Sequence, residues 1–133
     1  MTDTPQPPNL DLIQMVQRAR MLHDATAIPS EIGGVYWIEA KNEQAVPPTS
    51  RAGLWLIETD LAAVDALWAA VKAATLAGEL GYKSKVSTAS RGGRGGTDQR
   101  VICVCTADGA DAADVERVRA ALADLGIVPL RYE

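Results

Sequence analysis

Cationic side chains gather in one segment of the chain, between two stretches that have the composition of β-strands. Lys83 and Lys85 precede the segment SRGGRGGTDQR, which runs from Ser90 to Arg100 and holds four glycines and three arginines. Arginine forms paired hydrogen bonds with phosphate oxygens, and lysine adds a compact positive charge. These residue types predict an anion site, and its candidate ligands are Lys83, Lys85, Arg91, Arg94 and Arg100.

The glycines of this segment do not follow either common phosphate-binding motif. A P-loop needs GxxxxGK[ST] before a helix, whereas a predicted strand follows here, and the G-x-G-x-x-G spacing is absent. Two readings stay open. One is a slack hairpin connection, since glycine is the usual loop residue. The other is a loop that is disordered alone and closes over an anion held by Lys83, Lys85 and Arg100, because ordering glycines costs entropy that a ligand must offset.

The charge distribution limits the class of ligand. The net charge is −4, but residues 83–100 carry five positive charges and one negative charge, so the remainder of the chain carries −8. A protein that binds extended nucleic acid needs a broad basic face, which this acidic body lacks. The expected partner is a phosphate-bearing small molecule, nucleotide or phosphopeptide, and a protein partner is the alternative.

Other reactive residue types give weaker signals. His23 is the sole histidine and lies near the end of a predicted helix, so no catalytic triad can be assembled and no catalytic residue is assigned. Cys103 and Cys105 are two apart on a predicted strand, a spacing that suits neither a disulfide nor zinc, and we expect buried, reduced thiols with no metal and no cofactor. Trp68 is expected in the core. The Pro-rich start is not a signal peptide, and we expect a cytoplasmic protein without a membrane span.

The elements that must position these residues follow from periodicity and capping signals. Residues 1–8 are predicted to form a disordered lead, and residues 9–133 a single domain. Helices are predicted at 9–24, 60–77 and 111–125, with caps at Thr59 or Asp60 and at Asp111 and a left-handed Gly126. Their apolar stripes are Leu12, Met15, Val16, Ala19 and Leu22; Leu61, Val64, Trp68, Val71 and Thr75; and Val115, Val118, Leu122 and Leu125.

Strands are predicted at 35–40, 53–58, 83–90, 100–107 and 127–133. Strand 100–107 is apolar on both faces and should lie inside the sheet, whereas Pro129 pushes the last strand toward an edge. Lys83 and Lys85 share one strand face, and Arg100 begins the returning strand, so the three charges are expected to converge. The fold class is α+β: a curved antiparallel or mixed sheet with the last two helices packed on one face.

Two stretches of the chain also resemble a known family: GLWLIETDLAAVDALWAAVKAATLAGELGYKSKVST and VICVCTADGADAADVERVRAALADLGI. They are similar to the basophilic-leukaemia-expressed family over residues 34–132, and members of that family carry a phosphothreonine-lyase label. The resemblance implies a fold like that of the eukaryotic cap-binding translation initiation factor, and VYWIEAKN followed by TDLAAVDALWAAV looks like that factor's strand and tryptophan-bearing helix.

The resemblance also implies two activities that can be compared with the residues present. Cap binding needs two loop tryptophans, and the matching loops KNEQAVPPTSRA and RGGRGGTDQ contain no aromatic residue. A lyase needs a lysine base and a histidine acid, so Lys83 or Lys85 and His23 are the residues that such an enzyme would use. A phosphothreonine-lyase-like enzyme and a protein-interaction module without a small ligand therefore stand beside the phosphate-binding reading.

Overall fold

The computed structural model describes residues 10–31, 37–88 and 98–133. The expected lead at residues 1–8 lies outside the described residues, as does most of the Gly/Arg segment, including Arg91 and Arg94. The elements in chain order are α1 (Leu10–Thr26), a 3₁₀ turn (Pro29–Glu31), β1 (Trp37–Lys41), β2 (Gly53–Asp60), α2 (Val64–Leu76), β3 (Lys83–Ser87), β4 (Gln99–Thr106), α3 (Ala112–Asp124) and β5 (Arg131–Tyr132).

The five strands form one antiparallel sheet in the order β1-β3-β4-β2-β5. The predicted position of β4 is confirmed, because it lies in the middle and pairs with β3 on one side and β2 on the other. The predicted edge position of the last strand is also confirmed, although β5 is only two residues long. The α+β class and the antiparallel sheet are therefore as the sequence predicts.

The core lies between the helices and one face of the sheet. Trp68 and Val71 of α2 and Val118 and Leu122 of α3 belong to a single buried cluster. The sheet side of that cluster comes from alternate strand residues, which include Ile38, Val86, Ile102 and Val104. Because both helices contribute to one cluster with strand residues of a single face, the prediction that they share one face is confirmed.

The predicted start of α2 is wrong by about one turn. Strand β2 continues to Asp60, and the helix begins only at Val64. The Asp60 carboxylate accepts a hydrogen bond from the backbone N–H of Ala63, so it stabilises the turn before the helix instead of capping the helix. Leu61, predicted to be buried, lies in that turn and is exposed.

The signals at both ends of α3 are confirmed. The Asp111 carboxylate accepts a hydrogen bond from the Asp114 N–H, which satisfies one of the free amides of the first turn. Gly126 has φ +79°, the left-handed conformation that ends many helices. Leu125 departs from the prediction, because it is exposed at the end of the helix and does not complete the buried stripe.

The apolar stripe predicted for α1 faces solvent at four of its five positions, and the side chain of Leu22 lies outside the described residues. Leu12, Met15, Val16 and Ala19 are all exposed. The helix is held to the sheet near its carboxyl-terminal end, where the Asp24 carboxylate accepts a hydrogen bond from the Glu39 N–H at 3.3 Å. Periodicity identified the helix correctly, but it does not determine which surface covers the stripe.

No helix among the described residues is both long enough and apolar enough to cross a membrane.

Candidate functional site

The candidate site lies on the face of the sheet opposite the helices. Because strand residues alternate between faces, the side chains next to the buried Ile38, Val86 and Ile102 point away from the core. We call this surface the open face, and its members in the four longer strands are Trp37, Glu39, Lys41, Leu54, Leu56, Glu58, Asp60, Lys83, Lys85, Ser87, Gln99, Val101, Cys103 and Cys105.

Strand register arranges the open face in rows. In one row Lys85 lies between Glu39 of β1 and Cys103 of β4. In the next row Lys83 lies between Lys41 and Cys105. Directly opposed residues in antiparallel strands have Cβ atoms about 5 Å apart, so the three lysines form a compact basic group.

One carboxylate serves as the counter-charge for this group. Glu39 Oε1 is 3.8 Å from Lys83 Nζ, and Glu39 Oε2 is 3.8 Å from Lys41 Nζ. Both distances exceed those of a good hydrogen bond, so these are loose ion pairs. With three lysines and one glutamate, the group has two positive charges in excess, which an anion could neutralise.

Aromatic rings lie beside two of the lysines. Lys85 Nζ is 4.4 Å from the centroid of the Trp37 ring, and Lys83 Nζ is 5.9 Å from that of Tyr82. The negative face of an aromatic ring attracts an ammonium group at these distances. The rings restrict where the two ammonium groups lie without consuming their hydrogen-bond donors.

A cavity of about 280 Å³ opens next to Lys41 and Lys83. The segment that follows β1 forms its far wall, with Asn42, Pro47 and Pro48 among the lining residues. That segment is fastened farther along, where Arg51 donates two hydrogen bonds to the Asp108 carboxylate at 3.0 and 2.8 Å. The guanidinium lowers the pKa of Asp108, so this connection is kept at neutral pH.

The two cysteines lie under the lysine side chains. Neither forms a disulfide, and they are 4% and 5% exposed, so their predicted burial is confirmed. Each is opposed by a lysine on one side and a leucine on the other, Lys85 and Leu56 at Cys103 and Lys83 and Leu54 at Cys105. Long lysine stems cover apolar surface while the ammonium stays in water, which explains burial on a face that no described helix covers.

Burial raises the pKa of the Cys105 thiol, and the nearby ammonium groups of Lys83 and Lys85 oppose that shift only in part. The folded protein therefore holds the thiol proton more tightly than the unfolded chain does. The contribution of the protonated thiol to the free energy of unfolding should be complete below the ordinary thiol pKa. It should decrease as the pH rises toward the raised value. We predict that the free energy of unfolding, measured in urea at about pH 7.5 and about pH 9.5, decreases with pH, and that Cys105→Ala weakens this decrease.

Thiol labelling gives a second measurement of the same property. The native protein should react slowly with a thiol reagent at about pH 8, and both cysteines should react quickly once the chain is unfolded in urea. Burial also raises the pKa of the Tyr82 phenol. The comparison of unfolding free energies in urea is therefore kept below about pH 10, the ordinary pKa of a tyrosine phenol. Fast labelling of the native protein would contradict the assignment of inert thiols.

The structure separates the residues that the sequence grouped as anion ligands. Lys83 and Lys85 share the open face as predicted. Arg100 is in phase with Ile102 and Val104, so its side chain lies on the helix side of the sheet, where it is 4% exposed and donates a hydrogen bond to the Gln99 carbonyl. Its expected convergence with the lysines is therefore not seen, and Arg91 and Arg94 lie outside the described residues.

His23 lies on α1, whereas Lys83 and Lys85 lie on β3. The His23 ring contacts the Asp24 carboxylate at 3.3 Å at the carboxyl-terminal end of α1. Trp68 is buried in the core, as predicted. The described residues contain no group of histidine, cysteine, aspartate and glutamate side chains that could hold a metal ion.

Sequence reasoning missed Glu39 and Lys41 as members of the group. Charged and buried residues alternate in β1, which puts Glu39 and Lys41 on one face. That pattern places them beside Lys83 and Lys85 only if β1 is known to pair with β3. A strand order based on sequence neighbours would place β1 beside β2.

Comparison with curated proteins gives no match. The sequence pattern of the family described as basophilic leukemia-expressed protein Bles03 matches residues 41–132. The match begins at the last residue of β1 and ends at the last residue of β5, so it contains α2, α3 and the lysines of β3. Because this segment is more than half of the chain, the protein belongs to the Bles03 family.

Proposed function

We propose that the open face binds a phosphate-bearing small molecule or phosphopeptide, with Lys83 and Lys85 as the principal anion ligands and Lys41 beside them. The observation that carries the proposal is the register that puts Lys83 between Lys41 and Cys105, at the mouth of the cavity. Three neighbouring ammonium groups repel one another, and a phosphate relieves that repulsion more fully than the single Glu39 carboxylate does.

The cavity supports a ligand larger than inorganic phosphate. Its volume of about 280 Å³ is close to the lower end of the range for small-molecule pockets. Proline, valine and tyrosine side chains give it apolar walls next to the two cations, and Glu43 adds one carboxylate to the lining. Such a site would hold the charged group at the lysines and a compact apolar or planar part against the prolines.

Arg91 and Arg94 belong to the same proposal through their place in the chain. Strands β3 and β4 pair with each other, so the segment that contains both arginines connects the strand that carries Lys83 and Lys85 to its neighbour. Arginines there could supply further hydrogen bonds to a phosphate. Arg100 is the least favoured of the five because its guanidinium lies on the helix side.

We also infer that the fold is similar to that of the cap-binding initiation factor. The support is an antiparallel sheet that has helices on one face and the candidate site on the other. Recognition of a methylated base between two tryptophans is not part of this proposal, since the segment 41–52 contains no aromatic residue. The two unbridged thiols suit a reducing compartment such as the cytoplasm.

Calorimetry against inorganic phosphate, nucleotides and phosphopeptides tests the proposal. At least one ligand of the panel should bind with a dissociation constant below about 1 mM. Lys83→Gln and Lys85→Gln should each weaken that binding by about tenfold or more, because each removes a charge-assisted hydrogen bond. Glu39→Gln should strengthen it about fivefold, because the resident counter-charge is gone.

Arg119→Gln is the matched control, since it removes one positive charge from an exposed position on α3. It should leave the dissociation constant almost unchanged. Binding that is equally sensitive to Arg119 and to Lys83 would show a non-specific charge effect, and a panel with no binder below millimolar concentration would reject the proposal.

A lyase is the competing function, and the same panel can detect it. Lys83 could act as a base, but the histidine that would act as the acid contacts Asp24 at the end of α1. We therefore expect phosphothreonine peptides to be recovered unchanged after incubation. Release of phosphate, with formation of the unsaturated residue, would replace the binding proposal with the lyase.

A further inference from the structure

Helix α1 carries an exposed apolar stripe. Leu12, Met15 and Val16 are 55%, 64% and 62% exposed. The helix is attached near its other end, where Asp24 binds the β1 backbone and Lys72 Nζ donates to the Ala25 carbonyl at 2.7 Å. The Bles03 match starts at Lys41, so α1 precedes the segment that defines the family.

The spacing of the stripe is that of a helix-packing surface. Leu12, Met15, Val16 and Ala19 follow the i, i+3, i+4, i+7 pattern, which puts them on one side of the helix. Contiguous apolar side chains on a surface mark a contact site more often than isolated ones do. Methionine at the centre adapts its shape to an opposing surface at little cost.

Two charged residues indicate what the opposing surface is. Asp11 and Arg18 are seven residues apart, so they lie on the same flank of the stripe, two turns from each other. When two copies of α1 pack antiparallel about a two-fold axis, the same flank of each copy lies on the same side of the contact. Asp11 of each copy then lies near Arg18 of the other, whereas in parallel packing the two copies of this flank lie on opposite sides of the contact and no such pair forms.

We propose that α1 pairs antiparallel with α1 of a second copy of this chain, with Leu12, Met15 and Val16 in the seam and Asp11 opposite Arg18 of the second copy. A two-fold contact of this kind is self-complementary, so it closes as a dimer. The helix has 17 residues and a length of about 26 Å. Two such helices bury less surface than a standard interface, which makes the dimer weak and dependent on concentration.

Sedimentation of the full chain over a range of concentrations tests the pairing. The mass should rise from 14.1 kDa toward twice that value, with a dissociation constant on the order of 100 µM. Met15→Glu should raise that constant at least about tenfold, because a carboxylate would be buried in the seam. Val128→Glu is the matched control, since Val128 is 88% exposed and lies outside α1, and it should leave the constant unchanged.

Charge exchange tests the antiparallel arrangement without altering the stripe. Asp11→Arg alone, or Arg18→Asp alone, puts like charges opposite each other twice in the dimer and should weaken it about tenfold. The double variant Asp11→Arg with Arg18→Asp should restore the parent constant. A chain that stays at 14.1 kDa up to about 1 mM, or a double variant no better than either single variant, would overturn the proposal.

Discussion

Gly81→Ala should destabilise the protein by at least about 3 kcal/mol, a large loss for the addition of one methyl group. A methyl group built at Gly81 would lie 1.8 Å from the carbonyl oxygen of Cys105 and 2.8 Å from its carbonyl carbon. Both atoms belong to the backbone of β4, the central strand, and cannot move aside as a side chain can. The urea midpoint of the variant should drop accordingly, if the chain folds at all.

Gly126→Ala supplies the comparison for this variant. Its added methyl group would have no neighbour within 4 Å, but Gly126 has φ +79°. Alanine in that conformation costs about 1 kcal/mol without a clash. Equal losses for the two variants would mean that the close approach between Gly81 and β4 relaxes easily, which would contradict the first expectation.

Trp68→Ala is the second substitution with a large expected effect, roughly 3–5 kcal/mol. Trp68 is the largest of the fully buried side chains, 1% exposed, and it belongs to the cluster that joins α2 to the sheet. Its truncation leaves a cavity that the rigid strands cannot fill. Equilibrium denaturation, followed by far-UV circular dichroism, measures the loss independently of tryptophan fluorescence.

Replacing Trp68 by Phe should cost much less than replacing it by Ala. Trp68 Nε1 is buried and has no hydrogen-bond partner in the described structure, so its removal relieves a polar group that was already unsatisfied. Trp55 offers the contrast, since its Nε1 donates to the Val115 carbonyl at 3.0 Å and Trp55→Phe loses that bond. Trp68→Phe should therefore cost no more than Trp55→Phe, and a loss equal to that of Trp68→Ala would contradict this account.

An element could be predicted from the sequence where its own residues were enough to identify it. Apolar residues on both faces of RVICVCTA predict a central strand, and Asp111 and Gly126 mark the ends of α3. Signals that need a partner element were less informative. The stripe of α1 is a real amphipathic pattern, but amphipathicity does not distinguish a face that meets the core from one that meets solvent or another chain.

The candidate site was predictable only in part, for the same reason. Period-two alternation puts Lys83 and Lys85 on one face without further information. Whether Arg100 joins them depends on the register between β3 and β4, and a shift of one residue moves a side chain to the other face. Glu39 was hidden because β1 pairs with β3 and not with β2, a crossover that chain order does not reveal.

The two ends of the sheet have a consequence for solution behaviour. A bare outer strand invites another molecule to add to it, which is a common route to aggregation and strand exchange. Here the Asp24 carboxylate accepts a hydrogen bond from a backbone amide on the outer side of β1, and β5 is only two residues long. The part of β2 beyond β5 carries Glu58 and Asp60, whose negative charges discourage the approach of a like strand. The sheet can thus keep one broad face available while its borders resist growth into fibrils.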